Sequence, residues 1–547
     1  MKRFIAAIAG LLLLCSCTLK PQRKDDIYIF FTSDVHCGVE ENVGMASLKA
    51  LVDDTRAEHE YVTLVDTGDF LQGGTMGSLS RGELIISLMN KMGYELATFG
   101  NHEFDYGMDT LKQRVSEADF QMIASNTEYS GSGESVFAGL PEYVIKDYGG
   151  TKVAFLGVLT PESLTSSTPK FFMENDEFVY GFYGGQGGER LYEKVQSVVD
   201  EARKAGADYV VALTHLRSVV EYAPYDSISL ISHTSGIDAV LDGHSHSLIT
   251  GDMYPNKEGK DVLLSSVGTK MEAVGELIID TEGNFTALHI EEYGKADETI
   301  AADIEEAKAQ IDVILAEKVC DLDYDINITD EEGIRISRSR ETTAGNYIAD
   351  AFRYVMDCDI GMTNGGGVRS NISAGEVTYG DLLSVTPFQN NVASCYATGR
   401  QIVDMLEFGC RSTQGIYSFE GNAVGENGAF LCVSNLKYTI DVSVESPVQL
   451  DENGVFTGFA EGERRVKDVM VYENGEYVPI DPEKVYTVAG TSYFLFNSGD
   501  GNTIMKDCEK IVETGMTDVE AQRAYLEATG GFGDRYRDIE GRITIVQ

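Results

Sequence analysis

Short hydrophobic runs recur along the first half of the chain without strict alternation of polar and apolar positions. Strands that are buried on both faces have this pattern, because neither face needs polar side chains. Six runs predict such strands: IYIFFTS, YVTLVDTG, ELATFG, KVAFLGVLT, YVVALTHL and DAVLDGH. Stretches with helical spacing lie between them, such as ELIISLMNKMG and ERLYEKVQSVVDEARKAG. The alternation predicts a layered α/β domain over residues 27–294.

The pattern changes after this domain. Residues 295–319 are charged, have helical periodicity and contain neither proline nor glycine, which predicts a connecting helix. Over residues 321–547 one helical stretch, ETTAGNYIADAFRYVMD, is followed by many short strands and turns. This mixture predicts a second domain of the α+β class. Two domains also agree with a length of 547 residues, which exceeds what one hydrophobic core normally serves.

The N-terminus predicts export. A basic start precedes the apolar run FIAAIAGLLLL, residues 4–14, which is too short to span a membrane as a stable helix. The segment LLCSC that follows resembles the bacterial lipoprotein signal, in which a cysteine is lipidated after cleavage. We expect residues 1–16 to be a lipoprotein signal peptide and Cys17 to carry the lipid. The mature protein would then lie in the bacterial cell envelope, on the periplasmic side or at the cell surface, without a transmembrane helix. An ordinary secretory peptide with an incidental cysteine is the alternative.

The charge composition of the chain limits the classes of partner that it can bind. The chain has 43 basic and 88 acidic residues, a formal net charge of −45. A surface this acidic repels nucleic-acid phosphates and anionic lipid headgroups. We therefore expect that the protein binds no nucleic-acid polymer and that it contacts the membrane through the lipid anchor only. Small phosphorylated molecules stay possible, because a local group of cations can reverse the field inside one site.

Seven cysteines follow the signal segment, and their spacing contains no CxxC pair. An odd number leaves at least one that is unpaired or that pairs between chains. We expect scattered, small buried residues, with room for one disulfide. Cys37 directly follows a candidate metal ligand, and we interpret it as a neighbour of the site.

Polar side chains end five of the predicted strands, in FFTSDVH, TLVDTGD, TFGNHEFD, VALTHL and VLDGHSH. These segments contain five of the eight histidines in the chain. Sites form at strand ends in open α/β sheets, because the backbone turns there and loops converge. The remaining three, His59, His233 and His289, are expected to have ordinary structural roles. The candidate residues are Asp34, His36, Asp69, Asn101, His102, Asp105, His215, His244 and His246.

Aspartate, asparagine and histidine in this number can hold two divalent cations. Asp34 and His36 could reach one ion, and Asp69, at the next strand end, is placed to bridge. The ligands left to complete the second ion and cap the first are Asn101, His215, His244 and His246. Two cations roughly 3.5–4 Å apart can activate a water and stabilise the charge that develops at phosphorus. The histidine-rich mixture fits Zn, Mn, Fe or Co better than Ca or Mg.

Each fragment by itself is a weak signal, and GNHEFD could be no more than a capped helix start. In order along the chain, however, DVH, GDF, GNHEFD, TH and GHSH resemble the D-x-H, G-D, G-N-H-E/D, H and G-H-x-H motifs of the calcineurin-like metallophosphoesterases. From residue 27 to 547 the chain resembles the bacterial and animal 5′-nucleotidase family. The resemblance implies a layered metallophosphoesterase sandwich joined by a helix to a C-terminal nucleotide-binding domain.

The resemblance also implies roles for the candidate residues. Two cations would share the carboxylate of Asp69. One would be bound by Asp34, His36, Asp69 and His246, and the other by Asp69, Asn101, His215 and His244. Many family members carry glutamine where this chain has His246. His102 and Asp105 resemble the catalytic dyad, in which the histidine meets charge developing on phosphorus or the leaving oxygen.

In the second domain, NGGGVR resembles the substrate loop of the family, with Asn364 and Arg369 at its ends. The glycines let the backbone approach an anion, and an arginine can pair with phosphate or carboxylate oxygens. Arg340, just before ETTAGN, resembles a second arginine on the phosphate or ribose side, although Arg335 and Arg338 lie nearby.

Two aromatic residues resemble those that sandwich the nucleobase, Phe388 in TPFQNN and Phe494 in SYFLFNSGDG. Asp500 in the same segment would contact ribose hydroxyls. Stacking on two ring faces would tolerate several bases. The alternative is that the two phenylalanines are core residues and that the glycine run is only a tight turn.

Together these features predict an exported enzyme that uses two divalent cations to remove phosphate from nucleoside 5′-monophosphates. The same chemistry on nucleotide sugars such as UDP-sugars, 2′,3′-cyclic nucleotides or dinucleotides is the first alternative. An inactive surface protein that binds nucleotides or a host partner is the second, although an inactive relative usually loses metal ligands and this chain has the full set.

Overall fold

The computed structural model describes residues 23–175, 177–185, 187–218, 224–419 and 422–547. The predicted signal peptide, residues 1–16, and the predicted lipidation site Cys17 lie outside the described residues. Among the helices that are described, none combines the length and the apolar character that a membrane span requires.

The N-terminal domain is built on two six-stranded sheets. The strands of the first sheet, in spatial order, are Phe285–Ile290, Val274–Ile279, Ile27–Thr32, Tyr61–Asp66, Leu96–Ala97 and Gln121–Met122. Those of the second are Leu248–Pro255, Asp261–Val267, Ala239–Asp242, Tyr209–His215, Thr151–Leu159 and Tyr143–Tyr148. The central strands of both sheets pair in parallel, so their carboxyl ends reach one edge of each sheet.

The two sheets pack face to face. Their inner faces form a core in which Ile29 and Phe31 of the first sheet meet residues such as Val211 and Leu213 of the second. Helices cover both outer faces, which makes a sandwich of four layers. The helices of this domain are Met45–Glu58, Gly74–Ser80, Glu83–Met92, Met108–Glu117, Ser163–Ser166, Glu189–Lys204 and Ser227–His233. The predicted layered α/β architecture is confirmed, and strands buried on both faces explain the unbroken apolar runs.

Short elements complete this domain. One-turn 3-10 helices are formed by His102–Phe104 and Pro169–Phe172. Two small ribbons pair Glu128–Tyr129 with Tyr180–Gly181 and Met173–Glu174 with Glu177–Phe178.

The predicted connecting helix is shorter than 295–319 and spans Glu298–Leu315. It begins after Asp297, whose side chain accepts the backbone N–H of Ile300 at 2.8 Å. Ile300 and Ile304 are buried in the core that lies outside the first sheet. The start of the helix therefore packs on the N-terminal domain, whereas Leu315 at its end packs against a core of the second domain. The next residues, Lys318–Leu322, already form a strand of the second domain.

The C-terminal domain contains a five-stranded and a four-stranded sheet. The strands of the larger sheet, in spatial order, are Leu431–Ser434, Ile360–Asn364, Val485–Thr491, Asn391–Thr398 and Lys510–Thr517. Those of the smaller are Glu476–Pro479, Val466–Glu473, Leu436–Asp441 and Ile543–Val546. The helices are Thr343–Val355, Tyr379–Val385, Gly399–Gly409, Ser492–Leu495 and Asp518–Thr529. Two-stranded ribbons join Lys318–Leu322 to Gly375–Thr378, Ser418–Phe419 to Asn422–Ala423, and Val448–Leu450 to Phe456–Phe459.

The cysteines agree with the expectation of scattered small residues. All seven in the described part of the chain are free thiols, and five of them are buried. The thiol of Cys37 donates to the carbonyls of Phe70 and Leu71, at 3.4 and 3.3 Å, so it packs beside the site as a neighbour.

Candidate metal centre and substrate cleft

The predicted ligands meet where the carboxyl ends of the two sheets face each other. The backbone bends sharply there, because five ligands have a left-handed conformation that non-glycine residues rarely adopt. They are Asp34 (φ 49°), His36 (φ 46°), Asp69 (φ 59°), His244 (φ 77°) and His246 (φ 54°). Each such residue costs of the order of 1–3 kcal/mol, and clusters of them mark functional sites.

The ligand atoms form two groups whose members lie within 4.8 Å of one another: Asp34, His36 and His246, and Asp69, His215 and His244. Asp69 connects the groups, since its Oδ2 is 3.0 Å from His215 Nε2 and 3.9 Å from His36 Nε2. This is the position that a bridging carboxylate requires. Asp34 closes the first group, with Oδ1 3.4 Å from His246 Nε2.

Hydrogen bonds orient two of the imidazoles. Nδ1 of His36 lies 2.8 Å from the carbonyl of Gln72, and Nδ1 of His215 lies 2.9 Å from the carbonyl of Thr67. A carbonyl can only accept, so in both rings Nδ1 carries the proton. Nε2 of each ring therefore faces the centre and, in the neutral ring, has the lone pair that a metal-binding histidine requires.

Two buried polar atoms at the centre have no hydrogen-bond partner among the described residues: Asn101 Oδ1 and His244 Nε2. Buried polar atoms in folded proteins are nearly always satisfied. Both belong to the predicted ligand set of the second cation. The donor set, made of imidazole nitrogen, carboxylate and amide oxygen, therefore fits a pair of divalent transition metals.

The charges at the centre favour the same conclusion. Burial lowers the pKa of His36 to about 3 and that of His244 to about 4, which keeps both rings neutral, as ligands must be. Burial also acts on His215, but the charges of Asp69 and Asp34 outweigh it and raise its pKa to about 10. Without cations His215 thus holds a proton between two carboxylates, and a divalent cation would take the place of that proton.

Glu103 was not assigned a role from the sequence. Its side chain is fully buried, and its carboxylate accepts the backbone N–H groups of Asp69 at 2.8 Å, Phe70 at 2.9 Å and Leu71 at 3.1 Å, and also that of Gly100. It therefore fastens the loop of the bridging ligand to the loop of Asn101. The signal was present, since Glu103 is the glutamate of GNHEFD.

Two glycines of the motifs are required by close packing between these loops. A Cβ on Gly100 would lie 2.1 Å from Asp69 Oδ1. A Cβ on Gly68, which has a φ of 101°, would lie 2.4 Å from the backbone nitrogen of Gly100. A side chain at Gly100 would displace the bridging carboxylate, and one at Gly68 would push the two loops apart.

His102 and Asp105 form the predicted pair. Nδ1 of His102 lies 2.6 Å from Asp105 Oδ2, and Ser167 Oγ donates to the other carboxylate oxygen at 3.0 Å. The backbone N–H of His102 donates to Asp69 Oδ1 at 2.8 Å, which ties the pair to the bridging ligand. Burial lowers the pKa of His102, but the charges of Asp105 and Asp69 outweigh it and leave the pKa raised. The ring is thus suited to carry a proton toward a developing negative charge.

The C-terminal domain reaches this centre. The ring of Phe388 stacks on His102, with centroids 6.1 Å apart and an angle of 23° between the planes. The guanidinium carbon of Arg369 lies 5.5 Å from the centroid of the same phenylalanine. The loop is held across the domain boundary by Ser78, whose Oγ donates to Pro387 at 2.7 Å and whose carbonyl accepts from Gln389 at 2.8 Å.

Asn364 and Asp500 lie together in the C-terminal domain. Nδ2 of Asn364 donates to Asp500 Oδ2 at 3.3 Å. Burial raises the pKa of Asp500, against the opposing charges of Arg411 and Arg338. Burial and the charge of Arg338 also lower the pKa of Arg369 to about 9. The charge of Arg338 thus acts on both Arg369 and Asp500.

Two of the sequence assignments are corrected by these contacts. The guanidinium of Arg340 donates to the carbonyls of Ser339, Gln414 and Gly415, so it is used in loop packing, whereas the charge of Arg338 acts on Arg369 and Asp500. Phe494 is 2% exposed and packs in the core of the domain, so its ring offers no face to a base in this structure. Phe494 lies in the short helix Ser492–Leu495, which directly follows the strand Val485–Thr491 and turns the ring into the core. The motif alone does not reveal this turn.

A cavity of about 300 Å³ lies between the domains on the His244 side. Glu162, Arg217 and Tyr225 line it from the N-terminal domain, and Arg411 and Asp500 line it from the C-terminal domain. The sequence interpretation missed Glu162, although it closely follows the predicted strand KVAFLGVLT.

Comparisons with known proteins agree with this architecture. A family model described as calcineurin-like phosphoesterase matches residues 27–248, and one described as 5′-nucleotidase, C-terminal domain, matches residues 308–507. The trifunctional nucleotide phosphoesterase protein of Bacillus subtilis (strain 168) is 26% identical over 563 residues, which is 95% of this chain but 35% of that longer protein. The 5′-nucleotidase of Vibrio cholerae serotype O1 is 24% identical over 583 residues, covering 96% of this chain and 94% of that one.

Among solved structures, the crystal structure of the 5′-nucleotidase precursor from Thermus thermophilus is similar over both domains. It has a TM-score of 0.75 and 25% sequence identity, and the match covers 95% of this chain and 99% of that chain.

Proposed function

Because the chain belongs to the 5′-nucleotidase family, with a calcineurin-like phosphoesterase domain and a 5′-nucleotidase C-terminal domain, we propose that it hydrolyses nucleoside 5′-monophosphates to nucleoside and phosphate. One observation supports this proposal most directly. Phe388 of the C-terminal domain stacks on His102 of the catalytic domain, so an aromatic platform and the metal centre belong to one cleft.

The metal centre would hold two divalent cations on the predicted ligands, with Asp69 shared between them. Bound there, the cations would polarise the phosphoryl oxygens and lower the pKa of a water. The protein supplies fixed directions for this chemistry. Nδ1 protons point the lone pairs of His36 and His215 inward, and Glu103 fixes the loop that carries the bridging carboxylate. Zn, Mn, Fe and Co all suit this donor set.

The remaining steps are assigned to side chains. Asp105 holds Nδ1 of His102, so the opposite nitrogen of the ring is the one that can donate to a phosphoryl or leaving oxygen. Arg369, beside Phe388, would pair with an oxygen of the same phosphate. Asp500, held by Asn364, would accept from ribose hydroxyls.

A substrate panel tests this proposal. Released phosphate is measured with nucleoside 5′-monophosphates, UDP-sugars and 2′,3′-cyclic nucleotides under one set of conditions. We expect the monophosphates to give the highest kcat/KM. Cleavage of the diesters alone would replace the proposal by its first alternative.

Chelation separates an enzyme from an inactive nucleotide-binding protein. We expect turnover to stop after metal removal and to return with Mn or Zn. Asp69→Asn, which weakens the bridge between the two ligand groups, should abolish this recovery. Activity that survives both treatments would refute the two-metal proposal.

We also propose export and lipid anchoring at Cys17, on the basis of the N-terminal signal. Mass analysis of the mature N-terminus should find an acylated cysteine after removal of residues 1–16. Cys17→Ser should leave the chain without acyl groups, and an unmodified mature Cys17 in the wild type would exclude the anchor.

A further inference from the structure

Arg217 has an unusual backbone conformation beside the metal centre. It follows the strand Tyr209–His215 by two residues, and its φ is 107°, a region that favours glycine. A side chain in this region is strained, and the strain persists only where the surroundings hold it in place. Part of that hold is visible, since the carbonyl of Arg217 accepts the N–H of Ser227 at 2.8 Å. The chain thus keeps an arginine at a position where glycine would be easier.

The carboxylate of Glu162 lies between the guanidinium of Arg217 and the predicted metal ligand His244. Its Nη2 is 3.1 Å from Glu162 Oε2, and the same oxygen is 3.8 Å from Nε2 of His244. Arg217 contributes to the lowered pKa of that histidine, after the larger effect of burial. Glu162 therefore stands between a fixed cation and the second group of ligands.

The pair also lines the cavity between the domains, opposite Arg411 and Asp500. The side chain of Arg217 is 24% exposed, so its guanidinium can be reached from the cavity. Arginine binds phosphate oxygens through strong charge-assisted hydrogen bonds and is suited to terminal, multiply charged phosphate groups. A phosphate bound at the His244 side of the centre could therefore take the place of Glu162 at this guanidinium.

We propose that Arg217 makes the centre selective for phosphate monoesters over diesters, by exchanging Glu162 for a terminal phosphate oxygen of the substrate. This inference rests on the proposed phosphohydrolase function. A monoester dianion has a terminal charged oxygen at the position where a diester has its second ester group. The monoester thus offers the arginine a charged oxygen that the diester lacks. Glu162 is a positioning residue, which holds the guanidinium in place until the substrate arrives.

Two model substrates with the same leaving group test the proposal, p-nitrophenyl phosphate and bis(p-nitrophenyl) phosphate. The holoenzyme is used, and metal analysis confirms equal loading of each variant. For Arg217→Met we expect kcat/KM on the monoester to fall about 10- to 100-fold, the value of one charged hydrogen bond, with little change on the diester. Arg217→Lys, which keeps the charge, should recover part of the monoester activity.

Glu162→Gln distinguishes selection from a merely structural pair. It keeps the arginine, so the preference for the monoester should remain. If the pair only fastens two loops, Glu162→Gln and Arg217→Met will cause equal losses on both substrates, which would overturn the proposal. Arg56→Met is the matched control, because Arg56 forms a similarly exposed ion pair with Glu95 at 3.3 Å, and it should change neither rate.

Binding of inorganic phosphate to the holoenzyme gives a second measurement that needs no turnover. Calorimetry should show affinity for phosphate reduced about 10-fold or more in Arg217→Met and unchanged in Arg56→Met. Unchanged phosphate affinity together with an unchanged substrate ratio would refute the role of Arg217 while leaving the proposed function intact. Absence of nucleotide hydrolysis by the wild type would refute the proposed function, and the phosphate titration would still decide the role of Arg217.

Discussion

The carboxylate of Glu103 accepts the backbone N–H of Asp69 at 2.8 Å, although Glu103 itself is outside the ligand set. The same side chain accepts from Phe70 and Leu71, and across the loop boundary from Gly100. One buried carboxylate thus fixes two ligand-bearing loops relative to each other. The position of the bridging ligand is therefore set by backbone hydrogen bonds as much as by the ligand's own side chain.

Glu103→Gln should weaken metal binding. The amide group that replaces one oxygen cannot accept from backbone N–H, so the loops of Asp69 and Asn101 lose part of their shared anchor. We expect metal affinity to fall about 10- to 100-fold, as is usual when support behind a ligand is lost. Competitive titration with a metal-binding dye measures it.

Glu407→Gln is the matched control for this change. Glu407 is also fully buried and accepts two backbone N–H groups, from Arg465 at 3.0 Å and Val466 at 2.9 Å, but it lies in the C-terminal domain. The variant should lose stability without losing metal affinity. Equal metal affinity in the two variants would contradict the role given to Glu103.

Asp105→Asn should slow chemistry with little effect on substrate binding. The amide cannot stabilise a protonated His102 as the carboxylate does, so the ring becomes a poorer proton donor. We expect kcat to fall about 10²- to 10⁴-fold, the usual contribution of a positioned acid, while KM and metal content change little. Steady-state kinetics and metal analysis check both parts.

Asp25→Asn provides the control, because Asp25 and His59 form a half-buried pair of the same type. His59 Nδ1 lies 3.1 Å from Asp25 Oδ1, and both are remote in sequence from the ligand motifs. This variant should retain full kcat. A loss as large as that of Asp105→Asn would mean that the assay reports general damage to the fold.

Phe388 and Phe494 should respond to truncation in different ways. Phe388→Ala removes a ring at the cleft, so KM for nucleotides should rise roughly 10-fold while the fold is kept. Phe494→Ala opens a cavity in the core, so the free energy of unfolding should fall by about 3–5 kcal/mol. Denaturant unfolding and nucleotide kinetics are measured on both variants. A higher KM for Phe494→Leu, with unchanged stability, would restore Phe494 to the cleft.

Arg338 and Arg340 can be separated by the same logic. The charge of Arg338 acts on Arg369 and Asp500, whereas Arg340 donates to backbone carbonyls. Arg338→Met should raise KM for nucleotides by about 10-fold or more, the value of a charged hydrogen bond, and Arg340→Met should leave KM unchanged. The reverse ranking would favour the assignment made from sequence.

Because of the buried carboxyl of Asp518, the free energy of unfolding should depend on pH. Burial raises its pKa to about 8, against about 3.9 in an unfolded chain. Between pH 4 and pH 8 the carboxyl keeps its proton in the folded state and loses it in the unfolded state. The contribution of this proton to the free energy of unfolding is therefore complete below about pH 4 and is lost as the pH rises toward 8.

Asp518→Asn should remove that dependence. Relative to the wild type, the variant should gain roughly 1.4 kcal/mol in free energy of unfolding per pH unit between pH 5 and pH 8. Urea unfolding at several pH values measures this difference. Parallel curves for the two proteins would show that the carboxyl is already ionised in the folded state.

The metal centre was the part of this protein that could be predicted most completely from its sequence. Each ligand directly follows a hydrophobic run, and parallel strands bring such positions to one edge of a sheet. Six of the seven predicted ligands were therefore found together in two groups, with Asp69 between them. The connecting helix was predicted as well, but its start was not, since capping by Asp297 and packing of Ile300 fix it.

The substrate-binding residues were predicted less well. Their role depends on the direction in which each side chain points, and the spacing of residues along the sequence does not determine that direction. Arg338 and Arg340 are two positions apart, and only the path of the loop decides which guanidinium turns toward Arg369. Phe494 fits its motif, yet a short helix turns its ring into the core.

By itself, the sequence determined which residues can bind cations and which edge of the fold carries them, because strand periodicity and strand-end motifs are local properties. Only the tertiary structure decided which side chains contact those residues. Glu103 accepts the backbone N–H of the bridging ligand, Phe388 stacks on His102, and Glu162 lies between Arg217 and His244. These relationships join segments that are distant along the chain, and their geometry depends on how the two sheets and the two domains pack.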